Sequence, residues 1–136
     1  MKKLLILLCV VATLAAFSSC RKEYTYGEYE LIFSTKLISN ELVGNEWNFS
    51  YYSDGKNLTN GEHRLVLLAE PKTITIDVTV TEKDKITDIG TGSVSVTFDG
   101  ETETKTLVIV TERGGPYEGN KAEWEITCKT RLVKMH

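Results

Sequence analysis

Apolar and polar residues alternate with a period of two along most of this chain, and the clearest case is Thr73 to Thr81, "TITIDVTVT". Ile74, Ile76, Val78 and Val80 share one face of an extended segment while Thr and Asp occupy the other, which predicts a half-buried strand. Ser93 to Phe98 repeats the pattern with Val94, Val96 and Phe98. Trp47, Phe49 and Tyr51 alternate with Asn48, Ser50 and Tyr52, and Glu123 to Val133 sets Trp124, Ile126, Cys128 and Leu132 against Glu125, Lys129 and Arg131. Tyr29 to Ile38 carries apolar residues on both faces, and His63 to Ala69 is a largely apolar run stopped by Pro71. In Thr102 to Thr111 the block Leu107 to Val110 suggests a central position. Such runs fit strands covered on two sides.

The segments between these runs are turn chemistry. Asp54-Gly55, Asn60-Gly61 and Asp99-Gly100 are hairpin dipeptides, because both residues tolerate the left-handed backbone that tight two-residue turns require. The first two bracket a brief run, Lys56 to Thr59, and no helical period of any length interrupts the series. Seven or eight short strands with turns between most of them predict an all-β fold, an antiparallel β-sandwich of the immunoglobulin-like kind, over residues 29–136, with a barrel as the alternative.

The first 28 residues follow a different logic. Lys2 and Lys3 precede an apolar segment from Leu4 to Phe17 that only Thr13 breaks. As a helix that segment covers roughly 21 Å at 1.5 Å per residue, short of a hydrocarbon core of ~30 Å, so residues 1–19 read as an export signal rather than a membrane span. An ordinary cleavage after Ser18, with Ala16 two positions before it, is one reading of its end. The other starts from "FSSC" at 17–20, which resembles the lipobox of bacterial lipoproteins: small Ser18 and Ser19 stand directly before Cys20, although Phe17 occupies the place usually held by Leu. Boxes of this looser kind, followed by a short polar tether such as Arg21 to Glu28, are similar to those of Bacteroidota lipoproteins. The resemblance implies that Cys20 becomes the first residue, carries diacylglycerol on its sulfur and is acylated on its amino group. It also implies a cell-envelope location, expected at the outer membrane, with the membrane itself as a partner. Residues 21–23, "RKE", contain one acid and leave periplasmic against surface-facing orientation open.

Cysteine usage agrees with this. Cys9 leaves with the signal and the lipid would consume Cys20, so Cys128 remains alone and no intramolecular disulfide is available. The 117 residues from 20 to 136 are enough for one domain held by its core. The net charge of −3 includes Lys2 and Lys3, so the part after the leader carries about −5. With no basic stripe, nucleic acid is not an expected partner.

Candidate chemistry is sparse. His63 within a strand and His136 at the end are too few for a His-based triad or a three-His metal site. Cys128 falls on an inward face and reads as a small buried hydrophobe. Acidic residues are scattered over many loops, so a carboxylate-dependent glycan hydrolase is the weaker alternative to a chain without enzymatic activity. The stretch "VTVTEKDKITDIGTGSVSV", 78–96, resembles a C2 domain, where a strand ends in an acidic loop and re-enters the sheet. That likeness implies calcium at Glu82, Asp84 and Asp88, since calcium takes six to eight oxygen ligands. A solvated hairpin loop is the plainer reading. Tyr51, Tyr52 and Tyr117 are candidates for stacking on a glycan or anchoring an envelope protein, while Trp47 and Trp124 are expected inward. The expected function is a lipid-anchored binding or accessory module, with a structural subunit of an envelope assembly as the alternative.

Overall fold

A computed structural model describes residues 24–136; the leader, Cys20 and the start of the tether lie outside the described residues. Eight strands follow in chain order: β1 (Tyr26–Asn40), β2 (Trp47–Ser53), β3 (Lys56–Leu58), β4 (Glu62–Leu67), β5 (Thr73–Glu82), β6 (Asp88–Thr97), β7 (Thr102–Thr111) and β8 (Lys121–Met135). They form two four-stranded antiparallel sheets, ordered β4-β1-β8-β7 and β3-β2-β5-β6, packed as a sandwich.

The alternation places the core of β5 and β6 where the sequence pattern put it, whereas Leu132, expected inward, is partly exposed, and β7, expected to be central, is the edge of its sheet with Leu107 and Ile109 exposed. Ile74, Ile76, Val78 and Val80 of β5 and Val94 and Val96 of β6 face Leu31, Phe33, Val108, Val110, Ile126 and Cys128 of the other sheet, all buried. Fully burying each Val, Leu, Ile or Phe contributes about 1.5–3 kcal/mol, so this inner layer is the main source of stability in a domain without a disulfide. Burial also pushes the Cys128 thiol up to about 12, far from a reactive thiolate.

Two boundaries differ from the sequence reading. β1 begins at Tyr26, inside the stretch read as tether, because Tyr26 to Glu28 pairs with Leu67 to Leu65 on one side and Gly27 and Glu28 with Met135 and Lys134 on the other. β6 begins at Asp88 rather than Ser93, and Gly90 and Gly92 explain why its first half lacked an apolar signature. A Cβ on Gly90 would lie 2.4 Å from the Ile109 carbonyl oxygen, and one on Gly92 would lie 2.9 Å from a Val108 methyl. Bare backbone there lets β6 lie against the free edge of β7, closing that flank between sheets that share no ladder hydrogen bonds.

The registers give the sandwich two distinct ends. Tyr26 and His136 exchange backbone hydrogen bonds of 3.1 and 2.7 Å, so the chain enters and leaves at one end, together with the 68–72 loop and the Asp99-Gly100 turn. The loops 41–46, 83–87 and 112–120 meet at the other.

Candidate functional site

The loop end is built from three connections tied to one another. Asn40, at the end of β1, accepts from the Val43 amide at 2.9 Å and donates to the Gly44 carbonyl at 2.8 Å, curling the first loop back on itself. That loop docks on the second through the Lys83 amide and the Glu46 carbonyl, 2.8 Å apart. It docks on the third where Asn120 donates to the Glu41 carbonyl at 2.6 Å and the Lys121 amide to the Glu41 carboxylate at 2.9 Å. Beneath these loops, Trp124 packs edge-on against Trp47 and Phe49 at centroid distances of 5.3 and 4.8 Å, and Val43 is buried beside this plug.

The carboxylates of the acidic loop do not all face water. Glu82 is only 1% exposed, with Oε1 accepting from the Glu46 amide at 3.3 Å and Oε2 buried without a partner. Gly44, with φ of 152°, makes room for it, since a Cβ there would lie 2.1 Å from Oε1. Burial raises the Glu82 pKa, against the hydrogen bond from Glu46, and the charges of Asp84 and Asp88 raise it further. Asp88, equally buried, accepts from the Arg113 amide at 2.9 Å and pairs with the Arg113 guanidinium at 3.7 Å. Arg113 also donates to the Thr87 carbonyl at 2.7 Å. Asp84 turns inward on its own loop, accepting from the Ile86 amide at 2.9 Å.

Glu112, just past β7, joins this group and was not singled out in the sequence. Its Oε2 is buried without a partner, and burial raises its pKa, helped by Asp88 and Asp84. A single acid following an alternating strand carries no local signature; only the β6 to β7 contact brings it here.

The arrangement does not fit the calcium that the C2 resemblance implies. Among the described residues no group of three or more His, Cys, Asp or Glu side chains is placed to hold a metal ion. Glu82, Asp84 and Asp88 each commit an oxygen to a backbone amide of the protein, and Asp88 faces a guanidinium as well. Calcium demands more convergent oxygens than remain.

The three tyrosines separate. Tyr51 is a correction to the sequence reading: it is buried in the core with its ring stacked on Phe33, so its face is not available to a ligand. Tyr52 is 38% exposed on the outer face of the β2-β5 sheet, in register with Asp77 and away from the loop end. Tyr117 is 49% exposed in the 112–120 loop, where Gly114, Gly115 and Gly119 adopt positive φ and hold the loop out. Of the three rings, Tyr117 alone stands with the acidic loop. The chain matches no protein-family model and no curated protein.

Proposed function

We propose that this chain is a lipid-anchored, non-enzymatic binding module of the bacterial cell envelope, fixed to the outer membrane through Cys20 and receiving a glycan or an envelope protein on its loop end. The observation that carries the reading is the polarity of the fold. The first described residue, Tyr24, stands at the end where β1 begins and β8 finishes, and Tyr117 stands with the carboxylates of Glu82, Asp84, Asp88 and Glu112 at the opposite end. An anchor at one end and an exposed ring beside acidic groups at the other is the geometry of display. A Tyr face stacks on a sugar or packs into a partner's pocket, and the exposed carboxylate of Asp84 accepts hydroxyl or ammonium donors, while Glu82 and Asp88 lie buried beneath it. The test has two parts. The intact mass of protein extracted from membranes should equal residues 20–136 plus about three acyl chains, since one chain anchors only marginally. Binding to envelope glycans or proteins should fall with Tyr117→Ala and persist with Tyr52→Ala. A bare mass starting near Ser19 removes the anchor, and unchanged binding in the Tyr117 variant removes the loop-end site.

A second reading, a structural subunit of an envelope assembly, is supported by the far half of β1. β4 covers only Tyr26 to Leu31, and among the described residues no strand pairs with the outer edge beyond it, where Leu37 and Ile38 are exposed. An open edge with apolar side chains accepts an added strand from a partner. Cross-linking from Leu37 to a neighbouring envelope protein distinguishes this reading from glycan display.

A further inference from the structure

The two ends of the sandwich are finished differently. The loop end is plugged by Trp47, Phe49 and Trp124, whereas at the tether end the sheets part around a groove of about 550 Å³. Its walls are Tyr29, Leu132 and Met135 from one sheet and Leu68, Pro71 and Phe98 from the segments opposite. Gly27 forms part of the floor, because a Cβ there would meet Tyr29, Leu68 and Leu132 at 2.9 to 3.1 Å. Of this lining Met135 is 52% exposed and Leu132 is partly exposed, and Tyr24, 57% exposed, stands at the same end of the fold. Apolar side chains also stand exposed elsewhere, among them Leu42, Leu65, Leu107 and Ile109, but here they line a concave groove at the end from which the chain leads to Cys20, which marks it as a contact surface. Two carboxylates, Glu70 and Asp99, line the same groove.

We propose that this end docks on the bilayer surface, with Tyr24, Leu132 and Met135 in the boundary between headgroups and acyl chains, an inference that rests on the lipid at Cys20. The length of chain between anchor and fold selects this occupant. Three residues, Arg21, Lys22 and Glu23, separate Cys20 from Tyr24, and the four steps between them at ~3.5 Å each span at most about 14 Å in any conformation. The headgroup layer is itself several ångströms deep, so a domain held on that leash keeps its tether end against the membrane. Tyr rings favour this interface because one edge is apolar and the hydroxyl is wet, and the apolar side chains of Leu132 and Met135 gain by leaving water.

The test uses the acylated full chain in vesicles of phosphatidylethanolamine and phosphatidylcholine brominated at mid-acyl positions. The native indoles, Trp47 and Trp124, lie at the far end and serve as the unquenched reference. A Met135→Trp variant should lose at least half of its added emission. The unaltered chain offers a second readout, because Met135 is its one methionine after the leader. Its oxidation by chloramine-T on vesicles should run at least tenfold slower than that of N-acetylmethionine amide in the same tube. Emission quenched no more than that of the native indoles, or oxidation at the reference rate, in protein whose mass shows the acyl chains, overturns membrane docking. A mass without acyl chains strikes the anchor itself and is distinguishable from that outcome.

Discussion

Phe33 on β1 and Tyr51 on β2 stack face to face across the two sheets, with ring centroids 3.9 Å apart and planes 8° from parallel. This pair joins the sheets midway between the indole plug and the open groove. Stacking adds ~0.5–1.5 kcal/mol beyond the area the rings bury. Tyr51→Ala should therefore cost about 3–5 kcal/mol in denaturant unfolding, as large aromatic truncations in a core do. Tyr52→Ala, one residue along and facing water, should stay within ~0.5 kcal/mol of the parent. Comparable losses at the two positions would show that Tyr51 is not the core residue.

The contact of Gly90 with β7 gives a sharper steric test. Its absent Cβ would strike the carbonyl oxygen of Ile109, which is backbone and cannot rotate away. Gly90→Ala should destabilise by roughly 1–3 kcal/mol, the range for forcing extra volume into a packed interior. Thr91→Ala, on the exposed face of the same strand, is the control and should be near neutral. A neutral Gly90 variant would mean that β6 and β7 are further apart than described.

Glu82 predicts an inverted pH response. Its folded-state pKa is raised, so the native fold holds the proton more tightly than the unfolded chain does. Its stability contribution is therefore greatest when the carboxyl is protonated and is lost as pH rises from the unfolded value, about 4.3, through the raised folded one. Glu82→Gln keeps an acceptor for the Glu46 amide and removes the charge, so it should melt a few degrees higher than the parent at pH 7, with the gap closing towards pH 4. Adding millimolar calcium should leave the melting temperature of the parent unchanged. A gap independent of pH, or a rise of several degrees with calcium, would contradict this placement of the carboxylates.

The strands were legible because their alternation is local. "TITIDVTVT" states which face of β5 is buried, and Asp54-Gly55 and Asp99-Gly100 state where the chain turns. The pairing was not, since nothing in the sequence of β1 says that β8, almost a hundred residues later, is its neighbour. The same limit hid Tyr26 to Glu28, whose polar side chains look like tether but whose backbone is held on both edges. The candidate tyrosines are a different case, since the alternation of Trp47, Phe49 and Tyr51 against Asn48, Ser50 and Tyr52 already puts Tyr51 on the apolar face, and the structure turns that ring inward and Tyr52 outward. Glu112 shows the pairing limit in reverse, becoming visible only when β6 carries the acidic loop across to it.

The long ladder between β1 and β8 has a mechanical consequence. A module tethered at Tyr24 and gripped at its loops is loaded along the axis of β1, from Tyr26 towards Asn40. In that direction the hydrogen bonds from Gly27 to Asn40 bear load side by side, in shear, rather than opening one at a time from an end. Tension between an anchored and a gripped end would therefore fall on the longest ladder among the described residues, and the tug of a bound ligand would have to slide β1 past β8 before it could unravel the fold.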